Sequence, residues 1–396
     1  MPFLKWMKMR KNKDLSSFFP LAKITEPFSL YVHIPFCVRK CPYCAFYSMV
    51  PQGDLLREYP DVLEREICWW MESLGQDLPE IQTLFLGGGT PSLLPPDQWE
   101  RLIELLERYF RFQETCEVSV EANPGSLSLE HLRIWKEWRV NRISLGIQSL
   151  AEDEISLLQR PYSKEEAFRA LEAVKETGLL LSTDLMFAFP GHTLRKWYHT
   201  LREMTDHFEP DHISCYQLVI EPGTPWGSLS PSSLPDGYPF YRFTQWYLQR
   251  KGYEQYEISS FARNRHFCRH NIAYWKQGNV LGLGPSAWGY LSGVRYQDHP
   301  DMEEYVNSLT ENRSPIKYTE SVEGMEKARE TAILALRTKW GFDRSSFITQ
   351  FGEQSLKDIL NDLAEIPSDL IHISPEGVSL TCKGMRVGNA IWEKIV

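Results

Sequence analysis

Nowhere in this 396-residue chain does an apolar run approach the roughly 20 residues that cross a bilayer. The N-terminus lacks a continuous apolar stretch ending in a small-residue cleavage site, so no secretory signal is expected and the cytoplasm is the expected compartment. Positive charge is scarce: 43 Lys and Arg stand against 52 Asp and Glu, a formal net charge of −9. That balance argues against nucleic-acid binding, which needs a basic face. A disulfide framework is missing as well. Of eight cysteines only Cys37, Cys41 and Cys44 are clustered, and clustered thiols in a chain without an export signal point to a metal. The other five read as small buried apolar residues. There is no internal repeat and no low-complexity tract.

What is present is ordinary for a globular protein: 42% hydrophobic and 24% charged residues, enough for one large domain and a smaller one. The 13 Trp fit flat apolar surfaces or a buried core. Residues 1–27 stand apart, with Lys5, Lys8, Arg10, Lys11 and Lys13 among Phe3, Leu4, Trp6, Met7 and Met9. A flexible extension is expected there, with a membrane-surface segment as the alternative.

From residue 28, short apolar strands alternate with amphipathic helices. Strands are expected at 29–34, 83–86, 116–121, 142–145, 182–187 and 212–218. Helices are expected at 56–74, 96–110, 129–138, 164–177 and 193–207, with Ser128 and the Ser163/Glu166 pair as caps. This α/β rhythm predicts a parallel sheet forming a partial or full (β/α) barrel, with its chemistry at the C-terminal strand ends. The Pro- and Gly-rich stretch 221–239 reads as a long loop. After residue 320 the pattern changes to helices at 322–337, 343–351 and 355–364, strands at 370–373 and 377–380, and a last helix at 384–394. That succession predicts a smaller winged-helix-like α+β domain acting as a lid or docking unit. The expected organisation is therefore an extension (1–27), a barrel core (28–260), a connecting segment (261–319) and a C-terminal domain (320–396).

The strongest local signal is Cys37-Val-Arg-Lys-Cys41-Pro-Tyr-Cys44, directly after the first strand. Three thiolates at this spacing suit three corners of an iron–sulfur cubane and leave the fourth iron open. A zinc site would need a fourth ligand nearby, and His33 falls within the strand as a packing residue.

This spacing resembles the radical S-adenosylmethionine superfamily, and Tyr31-Val-His33-Ile-Pro35-Phe36-Cys37 looks like the oxygen-independent coproporphyrinogen III oxidase family. The resemblance implies a [4Fe–4S] cluster on Cys37, Cys41 and Cys44 whose open iron takes the amino and carboxylate groups of S-adenosylmethionine. It also implies an electron donor, and a one-electron cleavage of the sulfonium to methionine and a 5′-deoxyadenosyl radical. Gly87-Gly88-Gly89-Thr90-Pro91-Ser92 is similar to the loop that holds the methionyl end, through Gly88, Gly89 and Thr90. Glu121 with Asn123, Gln148, Arg160 and Asp184 match further cofactor contacts, and Tyr31 and Tyr43 belong to the same set. Two positions depart from the pattern: Gln159-Arg160-Pro161-Tyr162 replaces Gly-Arg-x-His, and Ala188 stands where a Gly is usual.

The oxidases of this family carry a further cysteine two residues after the triad, and here that residue is Phe46. Together with His270-Asn271-Ile-Ala-Tyr274-Trp275, this departure resembles the heme-chaperone (HemW) branch. The branch implies heme held near His270, Tyr274 and Trp275, and its transfer to heme-accepting proteins such as cytochromes. Membrane association through residues 1–27 is left open. Trp288 replaces a more usual His, and Cys268 reads as a buried neutral thiol. From spacing alone, 270–275 reads as a capped helix start with two core aromatics, and the heme reading rests on the resemblance. Two rivals stand: an oxidase that decarboxylates two propionates of coproporphyrinogen III to protoporphyrinogen IX, and a structural cluster protein that has lost cofactor cleavage.

Overall fold

A computed structural model describes residues 24–74, 78–230 and 233–396. The expectations for the basic N-terminal stretch fall on residues outside that range. Six strands, β1 (Phe28–Ile34), β2 (Ile81–Gly88), β3 (Phe112–Ala122), β4 (Arg142–Gln148), β5 (Leu180–Phe187) and β6 (His212–Gln217), lie side by side in chain order. All pair in parallel. The helices between them are α1 (Leu55–Leu74), α2 (Pro96–Tyr109), α3 (Leu129–Glu137), α4 (Glu152–Leu157), α5 (Lys164–Thr177) and α6 (Leu194–Glu203). Ser128 and Ser163 cap α3 and α5 as expected, and Glu166 closes the second cap reciprocally.

The sheet does not close on itself. On the β6 side it ends in the short antiparallel β7 (Glu254–Gln255) and β8 (Ser260–Ala262). The helix α7 (Gly237–Arg250) precedes them, capped by Asp236, and begins inside the stretch read from sequence as loop. After α8 (Arg269–Trp275), β9 (Val280–Leu283) returns alongside β1 in parallel. β10 (Trp288–Leu291), β11 (Val294–Asp298) and, after α9 (Met302–Thr310), β12 (Ile316–Ser321) extend that edge antiparallel. The architecture is thus a partial barrel, open between its two edges. The C-terminal part contains α10 (Gly324–Leu336), β13 (Phe342–Asp343), α11 (Arg344–Asp362), β14 (Ile371–Ile373), β15 (Gly377–Leu380), α12 (Cys382–Met385) and α13 (Gly388–Ile395). Its three strands form a separate antiparallel sheet with its own core of buried side chains from Ala328 to Ile395. Gly352 breaks α11 at φ 83°, in line with the two helices read from sequence.

Packing explains much of the tryptophan. Trp70, Trp99, Trp135 and Trp197 are fully buried, one each from α1, α2, α3 and α6, and bury large apolar areas between helices and sheet. Among the described residues no helix is long and apolar enough to cross a membrane.

Behind β1, on the helix side, two carboxyls meet in the core. Glu66 of α1 accepts from Gly284 N–H (2.7 Å) and from the Tyr305 hydroxyl, and Asp298 of β11 is fully buried beside it. Burial first, then the Glu66 charge, holds Asp298 well above the usual carboxylate range. A proton kept in the folded state but released by the unfolded chain costs stability as pH rises above the normal carboxylate range. Asp298→Asn should therefore raise the unfolding free energy at neutral pH by about 1–3 kcal/mol. In denaturant titrations the gain should shrink toward pH 4, and a gain of the same size at both pH values would contradict this assignment.

Candidate functional site

The three clustered cysteines sit on the loop that leaves β1. Its neck is closed by Cys37 N–H to Met49 O (2.9 Å) and Met49 N–H to Pro35 O (2.8 Å), and Cys44 N–H turns back on Cys41 O (3.1 Å). Thr90 Oγ1 lies 3.5 Å from Cys37 Sγ. Arg160 brings Nη1 to 3.3 Å from Cys41 Sγ and 3.4 Å from the Tyr43 hydroxyl, while its Nη2 is anchored on Gly146 O (2.8 Å). Among the described residues no three His, Cys, Asp or Glu side chains converge as they would on a single ion. A cubane asks for less convergence, because each thiolate takes a different iron.

The exit of β2 packs directly on this loop, and only glycine permits it. A Cβ on Gly89 would lie 2.6 Å from Phe36 O, the carbonyl before Cys37. Gly88 adopts φ +109°, and a Cβ there would lie 2.5 Å from the His33 ring. His33 itself is held by the Tyr31 hydroxyl (2.9 Å) and Tyr47 O (3.0 Å), a packing role.

Below the loop the inner face of the sheet encloses a cavity of about 190 Å³ that opens at its mouth. Of the expected residues, Tyr31, Gly88, Glu121, Asp184, His270 and Tyr274 line it. Glu121 accepts from Gly88 N–H (3.0 Å). Burial, then the Asp184 charge, raise its pKa to about 8. Asp184, beside the Ser144 hydroxyl (3.2 Å), is raised by burial to about 6. Two buried acids on the inner face fit a cationic guest, whose charge would repay their desolvation. Gln148 ends β4 at φ +61°, with its amide and Arg160 Nη2 both close to Gly146. Ala188, at the usual Gly position, also adopts positive φ (59°). Phe46 stands at the cavity with 66% of its surface exposed, and Tyr216 of β6 lines it with 41% exposed.

His270 lies deep in this cavity, 1% exposed. Its ring stacks on Phe85 (5.2 Å) and meets Tyr274 edge-on. The Thr83 hydroxyl donates to Ser29 (2.8 Å), so it receives the Nδ1–H of His270 at 2.9 Å and leaves Nε2 as the lone-pair nitrogen. Burial lowers the ring pKa to about 3, which keeps it neutral. The capped helix start is also real: Glu117 accepts the N–H groups of Arg269 (3.1 Å) and His270 (3.0 Å). Trp275 is not brought to the cavity. It lies under the Arg337 guanidinium (4.4 Å), which also covers Trp392 of α13 (5.0 Å). Cys268 is buried, and burial pushes its thiol up, as expected of a neutral group.

Sequence reading passed over Arg142, Ser144, Ser182, His212 and Ser214, which line the same cavity. Their signal was present as polar residues at every second position of β4, β5 and β6. Because the Gly89 contact carries the loop geometry, Gly89→Ala should cost about 1–3 kcal/mol of stability. It should also lower several-fold the iron and sulfide retained after anaerobic reconstitution. Full loading in that variant would show that the loop does not depend on the contact.

Residues 31–204 match the model of the radical SAM superfamily. The chain is 33% identical to the heme chaperone HemW of Bacillus subtilis, over 92% of this chain and 98% of that protein. To the heme chaperone HemW of Escherichia coli it is 36% identical, over 67% of this chain and 71% of that protein. Among solved structures, the coproporphyrinogen III oxidase HemN of Escherichia coli superposes with a TM-score of 0.84, covering 100% of this chain and 98% of that one. At 23% identity that likeness concerns the fold alone. The chain belongs to the radical SAM superfamily, whose members carry a [4Fe–4S] cluster and S-adenosylmethionine, and within it to the HemW branch of the HemN/HemW family.

Proposed function

We propose that this protein is a heme chaperone that binds heme and passes it to acceptor proteins such as cytochromes. The observation that carries the reading is Phe46, an exposed ring at the cavity where the oxidases of the family carry a cysteine. Curated relatives that cover 92% and 94% of this chain bear the chaperone's name. In this reading Cys37, Cys41 and Cys44 hold three irons of the cluster. The glycine exit of β2, with Thr90, receives the methionyl end of S-adenosylmethionine. Glu121 and Asp184 accept its cationic and hydroxyl groups, Arg160 and Gln148 approach its carboxylate side, and Tyr31 and Tyr43 complete the walls. When bound, the cluster and the sulfonium together supply one-electron chemistry. His270 offers a neutral Nε2 to heme iron, with Tyr274 against the macrocycle, and Trp275 belongs to the C-terminal packing.

A cationic guest favours ionised Glu121, so binding below pH 8 must expel the proton that burial keeps there. Affinity for S-adenosylmethionine should rise between pH 6 and 8, by at most about tenfold per unit, and level off above. Glu121→Gln should weaken binding and flatten that slope; an unchanged slope would move the proton elsewhere. For heme, His270→Ala should abolish or shift the Soret band seen on titrating heme into the anaerobically reconstituted protein. An identical spectrum and affinity would remove His270 as the ligand.

A further inference from the structure

Closed barrels fill their interiors with branched aliphatic side chains. The inner face here instead carries Ser144, Ser182 and Ser214 around the cavity and, at the first residue of β4, the guanidinium of Arg142. Arg142 is 2% exposed. Its Nη2 donates to the carbonyls of His266 (3.0 Å) and Phe267 (3.3 Å) and lies 3.4 Å from Glu117. Its Nε and Nη1 have no hydrogen-bond partner.

A buried charged donor left unsatisfied costs more than the roughly 1–3 kcal/mol of a neutral one. Such groups persist in folded proteins when something outside the chain completes them. Glu117 pairs with Arg142 through Nη2 alone (3.4 Å), while its two oxygens also take backbone N–H groups at the start of α8, so Nε and Nη1 stay unmet. Two further polar atoms near this level lack partners: Ser119 Oγ, paired in register with Arg142, and His270 Nε2. The two raised acids sit nearer the mouth, Glu121 by one layer of the register and Asp184 by two. The chamber is therefore polarised, with acids above and a partly unpaired cation below. A guest with a negative group finds its complement at the floor and not beside the acids.

Resting on the heme reading, we propose that Arg142 forms an anion subsite at the floor of the chamber that receives a propionate carboxylate of the bound tetrapyrrole. A planar guanidinium matches a carboxylate in shape as well as charge, and away from water that match gains strength. The subsite would set how the macrocycle enters, acid edge first.

The test compares heme with heme dimethyl ester, which has the same ring and iron but no carboxylates, on the full-length reconstituted protein. The ester should bind the wild type at least about tenfold more weakly than heme, a difference of about 1.4 kcal/mol. Arg142→Lys keeps the charge beside Glu117 but loses the fork, and should narrow the difference. The paired change Glu117→Gln with Arg142→Met leaves no buried charge orphaned and should erase it. Comparing each variant's own ester penalty removes the effect of the ester's greater hydrophobicity. Equal binding of heme and ester to the wild type would overturn the subsite and leave the heme reading standing, as would a penalty that survives loss of Arg142. If neither compound binds the wild type, the heme reading falls and the subsite with it.

Discussion

The close approach between the exits of β1 and β2 is the constraint on which the upper half of the site depends. In parallel register Gly87 pairs with His33 and Gly88 with Ile34, so the strands leave the sheet together. A side chain on Gly88 or Gly89 would collide with His33 or with the backbone that leads into Cys37. From this contact follow the position of the thiol loop, the place of Thr90 beside Cys37, and the hydrogen bond that fixes Glu121 under Gly88. The neighbouring strand then brings Arg160 back through Gly146 to face Cys41. Three consecutive glycines are costly in backbone entropy, and they persist here because no other residue lets the two strand ends touch.

Electrostatics organise what lies below. Burial raises both Glu121 and Asp184, and the Asp184 charge raises Glu121 further, which makes the upper chamber receptive to positive charge. His270 is neutral, with its protonated nitrogen spent on Thr83, so the deep wall offers an uncharged lone pair. Arg142 supplies positive charge at the floor. Buried polar groups of this kind do not stabilise a fold, because desolvation outweighs what their partners return. Their concentration on one face of one sheet is the mark of a site and not of a core.

Much of the parallel core was legible in the sequence, because its strands carry continuous apolar residues on the helix side, such as Val118, Val120, Ile143 and Leu145, all buried. The cysteine spacing and the glycine run were equally plain, since both act through neighbours close in the chain. The same strands hid half of the chamber. Ser144, Ser182 and Ser214 alternate with those apolar residues, and their meaning appears only once six strands turn that face toward one space. β9 was missed because four residues, Val280–Leu283, have no pattern of their own, and their partner is β1, far back in the chain. Trp275 was grouped with His270 by the resemblance of 270–275 to the heme-chaperone branch. One helix sends His270 toward the sheet interior and Trp275 outward to Arg337, a divergence that follows from helical spacing.

The claim on which this account turns is that the chamber serves to carry heme and not to decarboxylate a porphyrinogen. The direct test is to incubate the reconstituted protein with S-adenosylmethionine and a low-potential reductant, once with heme and apo-cytochrome and once with coproporphyrinogen III. The account predicts that the cytochrome acquires heme absorption while coproporphyrinogen III is recovered intact. Formation of protoporphyrinogen IX, with no heme delivered to the cytochrome, would contradict it.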